Sequence, residues 1–174
     1  MSTTMNHPQP TARQAPAAGP TTAEVWRELT KASFAVVSQV TPDGDPRSSG
    51  VVYTMIGRRM YVVVARDSWK ARHIAACGRV AVTVPVRRGG IMSLLFPIPP
   101  ATISFHGAAF VYPADSPRVQ EAMTALSRLL PAEGREATRV IEIRPEGWFL
   151  TYGVGVSLTQ MRSPVRARAR VPVA

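Results

Sequence analysis

The stretch from Phe34 to Ala65 leaves this chain few folds to choose from. Residues 34–40 are β-branched and apolar, and the Pro42-Asp43-Gly44-Asp45-Pro46 run after them has turn chemistry: proline fixes φ and Asp-Gly supplies a positive-φ position. Residues 47–56 read as the return strand, and Gly57-Arg58 as a second tight turn into residues 60–65. Three consecutive strands joined by tight turns predict an antiparallel meander.

The remaining pattern adds short helices and more strands. Thr21 and Glu24 have the spacing of a capping box, and Val25, Trp26 and Leu29 share one helical face, so a helix is predicted over 22–31. Asp67 or Ser68 can cap a helix from Trp69 to about Cys77, which Gly78 stops. Residues 79–86 and 101–112 read as strands. Ser116-Pro117 opens a helix with an apolar stripe of Val119, Ala122, Met123, Leu126, Leu129 and Leu130. Residues 138–144 and 148–154 read as two further strands joined by a Pro145-Glu146-Gly147 turn. This order predicts a mainly β fold with short helices, closed or partly closed as a barrel, and not a doubly wound sheet. Residues 91–100 are apolar and proline-rich, and are expected to cover a pocket or a partner subunit.

The domain organisation expected is a disordered arm over 1–20, one folded domain over 21–156 and a loosely held basic tail over 157–174. No apolar run approaches the roughly 20 residues of a membrane helix, and the first 20 residues lack the apolar core of a secretory signal. A single cysteine, Cys77, excludes an intrachain disulfide and a multi-cysteine zinc site, so a cytoplasmic setting is expected. There are 21 basic against 11 acidic residues, for a net charge of +10, and only Lys31 and Lys70 are lysines. That arginine excess fits an anionic partner. Nucleic acid is disfavoured, because Arg162, Arg166, Arg168 and Arg170 lie in a tail with no aromatic residue to stack on bases.

The chemistry-bearing stretch is Met60 to Ile74. A strand ends and a helix begins there, with Arg66, Ser68, Lys70 and Arg72 at the junction. A helix N-terminus with free N–H groups and basic neighbours makes a phosphate site without a glycine-rich loop, although a plain capped helix with solvated basic residues has the same pattern. His73 reads as a surface or interface residue and His106 as a satisfied core histidine. Cys77 reads as a packing residue, and no spacing supports a metal site. No pair of residues stands out as a catalytic acid and base.

The segment from Val25 to Val86 resembles the flavin-binding split-barrel family, which contains pyridoxamine 5′-phosphate oxidase and its deazaflavin-using relatives. The resemblance lies in "FAVVSQVTPDGDPRSSGVVYT", "RMYVVVARDS", "SWKARHI" and "GRVAVTVPV", taken in that order. It implies a six-stranded antiparallel split β-barrel working as a homodimer, with flavin mononucleotide (FMN) at the interface of the two copies. It places the cofactor phosphate at Arg66, Ser68 and Lys70, with Trp69 alongside. Arg47, Ser49, Val51 and Val52 would follow the ring along the second strand, and Val63 and Val64 along the third. The activity implied is a flavin-dependent oxidoreductase acting on a small apolar or aromatic substrate. The alternatives are a reductase using the deazaflavin coenzyme F-420 and a non-catalytic flavin- or haem-binding protein, with His106 as a haem ligand. Two departures stand out. His73 occupies a position where many relatives have asparagine. After Arg144-Pro145-Glu146-Gly147-Trp148 there is no Arg-x-His substrate signature, so oxidation of a vitamin B6 phosphate is not implied.

Overall fold

A computed structural model of the chain describes residues 19–87, 100–127 and 137–174. The expected N-terminal arm (save its last two residues), nearly all of the apolar loop and Leu129 and Leu130 lie outside the described residues. The first helix, α1 (Thr22–Lys31), starts at the capping box: Thr21 Oγ1 accepts the Glu24 N–H, and the Glu24 carboxylate accepts the Thr21 N–H at 2.7 Å. That backbone bond first, and then the bond the Thr21 hydroxyl donates to the same carboxylate, hold the Glu24 carboxyl below its ordinary pKa. Next come β1 (Phe34–Val40), β2 (Pro46–Ile56) and β3 (Arg59–Ala65), the meander expected from sequence. A helix, α2 (Trp69–Cys77), separates β3 from β4 (Arg79–Val86), and β5 (Ala101–Pro113) pairs with β4 along its length. A short 3-10 turn at Pro117–Val119 leads into α3 (Gln120–Ser127), and then comes β6 (Thr138–Tyr152). A second 3-10 turn, a one-turn helix α4 (Pro164–Ala167) and β7 (Arg168–Pro172) end the chain.

The strands run β3-β2-β1-β4-β5-β6-β7, all pairs antiparallel, and β3 also pairs with β6. That last pairing closes six strands into a barrel and leaves β7 as an added strand. Period-two alternation turns Ala35 and Val37, Tyr53, Met60 and Val62, Val82 and Val84, and Ile103 and Phe105 inward. Phe149 stands edge-on to both Trp26 and Phe105, at centroid distances of 5.0 and 5.7 Å, so α1 and the barrel share one core. Tyr53 binds them further: its buried hydroxyl donates to the Leu29 carbonyl at 2.7 Å, one of the C-terminal carbonyls that α1 cannot satisfy itself.

Two expectations are corrected here. The two strands predicted over 138–154 are one, β6. Its ladder with β5 shifts between Ser104↔Leu150 and His106↔Glu146, so three β6 residues stand opposite Phe105. Gly147, at φ +68°, absorbs the bend, and the residues read as a turn form a bulge that carries β6 from its β3 side to its β7 side. The arginine-rich end was expected to be loosely held. Instead, β7 pairs with Trp148–Tyr152, and the carbonyls of Pro172 and Val173 accept hydrogen bonds from Thr22 Oγ1 and Trp26 Nε1.

Outside the barrel, the 3-10 turn and α3 cover β3 and β6, with Val119 of the turn and Ala122 and Leu126 of the helix against Tyr61 and Val140. Beside this layer Glu142 is completely buried, bonded by Arg144 Nε at 2.6 Å, with Arg59 and the Tyr61 hydroxyl at 3.5 and 3.4 Å. Burial first, and then the Glu142 charge, push the Tyr61 hydroxyl above its usual pKa.

Candidate functional site

The ladder between β2 and β3 runs from Ile56↔Arg59 to Tyr53↔Val62 and stops. Past that point Gly50, Val51 and Val52 pair only with β1, and Val63, Val64 and Ala65 only with β6. The edges they turn toward each other have no ladder partner, and between them lies a cavity of about 400 Å³. It is lined by Gly50, Val51, Val52, Val63, Val64, Ala65, Ser68, Lys70 and Leu126. Val51 and Val64 point into the barrel core, whereas Val52 is half exposed, so the walls of this seam are backbone as much as side chain. Unpaired strand N–H and C=O groups are fixed donors and acceptors for the polar edge of a flat ligand.

The far end of the seam is the β3–α2 corner. Ser68, in the extended conformation, caps α2 through its Oγ, which accepts the Ala71 N–H at 3.2 Å. No acidic residue sits in the first turn of the helix. Lys70 lines the cavity, and among the described residues no carboxylate lies within 4.0 Å of its Nζ, which sits 5.9 Å from the centre of the Trp69 ring. An uncompensated ammonium beside the positive end of a helix, at one end of a walled seam, is an arrangement for an anion.

The seam therefore brings together Val51, Val52, Val63, Val64, Ser68 and Lys70 of the residues expected to hold a cofactor, and leaves four outside its lining. Arg47 is exposed, 3.7 Å from the exposed Asp45. Ser49 is half-buried, with its hydroxyl oxygen sealed off and without a hydrogen-bond partner. Arg66 is exposed, and its backbone N–H donates to the Ala137 carbonyl at 2.7 Å. Trp69 is partly exposed, with its ring 5.7 Å from that of His73. The sequence reading missed Gly50, Ala65 and Leu126 as wall residues. It also missed Gln39, a buried amide, although its place in the Ala35–Val37–Gln39 alternation marks it as inward-facing.

The outer face of the sheet continues from the seam. Across the strands, Gly50, Val36, Thr83, Ser104 and Leu150 form one cross-strand row, and Phe34, Val52, Trp148 and Leu150 expose large apolar surfaces there. A second cavity of about 430 Å³ on this face is lined in part by His106, Trp148, Leu150 and Arg170, and the Arg170 guanidinium lies 4.6 Å from the centre of the Trp148 ring. His106 is exposed on this face, which corrects its reading as a core histidine: Ile103 and Phe105 point inward, so the residue after them points out. Cys77 is exposed too, not a packing residue.

No curated protein matches the chain. Solved structures with a similar fold include the haem storage protein HutZ of Vibrio cholerae (14% identity, 76% of this chain and 95% of that one, TM-score 0.62). An FAD-binding protein of Mesorhizobium loti is 18% identical over 71% of this chain and 88% of that one, with a TM-score of 0.57. An F420 reductase is 20% identical over 71% and 93%, with a TM-score of 0.53. At these identities the likeness is one of fold. The profile of a protein family, described as pyridoxamine 5′-phosphate oxidase, matches residues 21–152, most of the chain, and with the closed six-stranded barrel this places the protein in the pyridoxamine 5′-phosphate oxidase family.

Proposed function

We propose that the seam between β2 and β3 binds FMN and that the protein is a flavin-dependent oxidoreductase, working as a homodimer on a small apolar or aromatic substrate. The observation that carries this reading is the pairing of an open-edged seam with an anion corner: two strand edges lead to the first turn of α2 and to Lys70, which no carboxylate among the described residues compensates. A flat ring with an acidic arm has the chemistry to use both. The residues present fit the group. Backbone N–H and C=O groups of residues 50–52 and 63–65 meet a ring edge. Lys70 meets the phosphate, aided from outside the lining by the exposed Arg47 and Arg66, and Leu126 closes one wall.

When bound, a flavin supplies hydride and electron transfer. The chain's own part is to bind, orient and exclude water. A second copy of the chain would cover the exposed apolar face beside the seam, since that face carries Phe34, Val52, Trp148 and Leu150 and is continuous with Gly50 and Val52 of the seam.

Parallel titration of cofactor-free protein with FMN and with the deazaflavin coenzyme F-420 tests the reading, with flavin fluorescence and sedimentation as readouts. FMN binding to a dimer, at one per chain, is the expected result. Tighter binding of F-420 would move the protein to the deazaflavin reductases. A haem-loaded red protein that ignores both would overturn the redox reading.

A further inference from the structure

Alternation along β1 turns Gln39 into the barrel behind Ala35 and Val37. It is 4% exposed, and neither Oε1 nor Nε2 has a hydrogen-bond partner among the described residues. Ser49, opposite Val37 on the neighbouring strand, has a buried Oγ without a partner either. Both sit at the barrel end that α2 plugs: β1 ends at Val40, β2 starts at Pro46, and α2 links the end of β3 to the start of β4 with Ala71 and Ile74 buried beneath it. A buried amide with nothing to bond is costly, and native folds keep one chiefly where water or a ligand completes it.

The residue directly opposite Gln39 is Arg47. Its carboxylate neighbour, Asp45, is 3.7 Å away with both side chains well exposed, a pair weak enough to exchange. Gln39 and Ser49 are diagonal neighbours across β1 and β2, a spacing long side chains can bridge.

We propose that Gln39 is a positioning residue for the phosphate at the α2 corner. Resting on the flavin reading above, the inference adds a polar chain that satisfies each orphan once. The Arg47 guanidinium leaves Asp45, donates one N–H to Gln39 Oε1 and turns another toward a phosphate oxygen, while Gln39 Nε2 donates to the buried Ser49 Oγ. Gln39 thus holds Arg47 in register for the anion and has no part in holding the ring.

The test compares FMN with riboflavin, which lacks the phosphate, by fluorescence titration of wild type, Gln39→Leu, Arg47→Ala and the double variant. Gln39→Leu is expected to weaken FMN about tenfold and leave riboflavin unchanged, and the double variant to bind FMN no more weakly than Arg47→Ala alone. The thermal midpoint of Gln39→Leu should equal or exceed that of wild type, because an unsatisfied amide has been removed. An equal loss for both ligands, an unchanged FMN affinity, or a Gln39→Leu penalty that adds in full to that of Arg47→Ala would overturn the proposal while leaving the flavin reading intact. Wild-type protein that binds neither ligand would overturn both.

Discussion

Tyr53 and Val62 are the last residues at which β2 and β3 pair, and the 400 Å³ seam opens directly beyond them. The side chain of Tyr53 and its place in the ladder thus serve two purposes at one point of the fold. Its hydroxyl ties the end of α1 to β2, and its backbone marks where the sheet releases its edges to the site.

Lys70 supplies the first prediction. Among the described residues its ammonium lines the seam without a carboxylate within 4.0 Å, so little there depends on it. Lys70→Ala should leave the thermal midpoint near wild type. It should weaken FMN by about 1.5–3 kcal/mol, roughly one to two decades in Kd, the usual worth of a hydrogen bond to a charged group. Fluorescence titration checks both the size of the loss and its confinement to the phosphate, since riboflavin should be unaffected. An unchanged FMN affinity would remove the anion corner from the site.

Tyr53 carries a pH prediction. Burial raises its hydroxyl pKa far above the ordinary 10.0. An unfolded chain releases this proton near pH 10 while the folded chain keeps it. The stabilisation is therefore complete below about pH 10 and falls as pH rises above it. Denaturant unfolding of wild type should show an alkaline loss of stability that starts there. Tyr53→Phe should flatten that limb and cost about 1–3 kcal/mol at neutral pH, because the Leu29 carbonyl loses its donor.

What the sequence made legible was local. The meander, both capped helices and the strand-to-helix corner follow from turn chemistry, capping and period-two alternation, each contained within a dozen residues. The single strand β6 was hidden because Pro145-Glu146-Gly147 has turn chemistry, and it takes ladders to β3, β5 and β7 to hold the strand extended. β7 was hidden by its arginines, although Ala169 and Val171 alternate with them. Ser68 and Lys70 could be read from the corner, but the walls at Gly50, Ala65 and Leu126 could not. They exist because β2 and β3 part after Tyr53↔Val62, and a parting of strands is a property of pairing, not of either strand alone.

Gly107 tests the bulge. Its neighbours are the backbone carbonyl of Arg144 and the Cα of Pro145, so near that an added methyl would overlap the Arg144 carbonyl group. Backbone cannot swing aside as a flexible side chain would. Gly107→Ala should destabilise by at least the ~1–3 kcal/mol typical of overpacking, seen as a lower thermal midpoint. Gly44, where a new Cβ meets nothing within 4 Å, is the contrast: its φ of +91° makes alanine strained there, but no neighbour is displaced.

Leu150 tests the second copy. It is 56% exposed on the outer sheet face, in the row that runs through Ser104, Thr83 and Val36 to Gly50 at the seam. A charge placed there touches solvent in a single copy, so Leu150→Asp should fold with a thermal midpoint close to that of the cofactor-free wild-type monomer. In a dimer built on this face the same carboxylate would be desolvated against an apolar neighbour, a cost of several kcal/mol unless paired. Sedimentation should therefore shift from dimer to monomer, and flavin affinity should fall with it if the interface helps close the seam. A variant that stays dimeric would place the interface on another face, and one that turns monomeric yet binds FMN as tightly as wild type would show that a single chain holds the cofactor by itself.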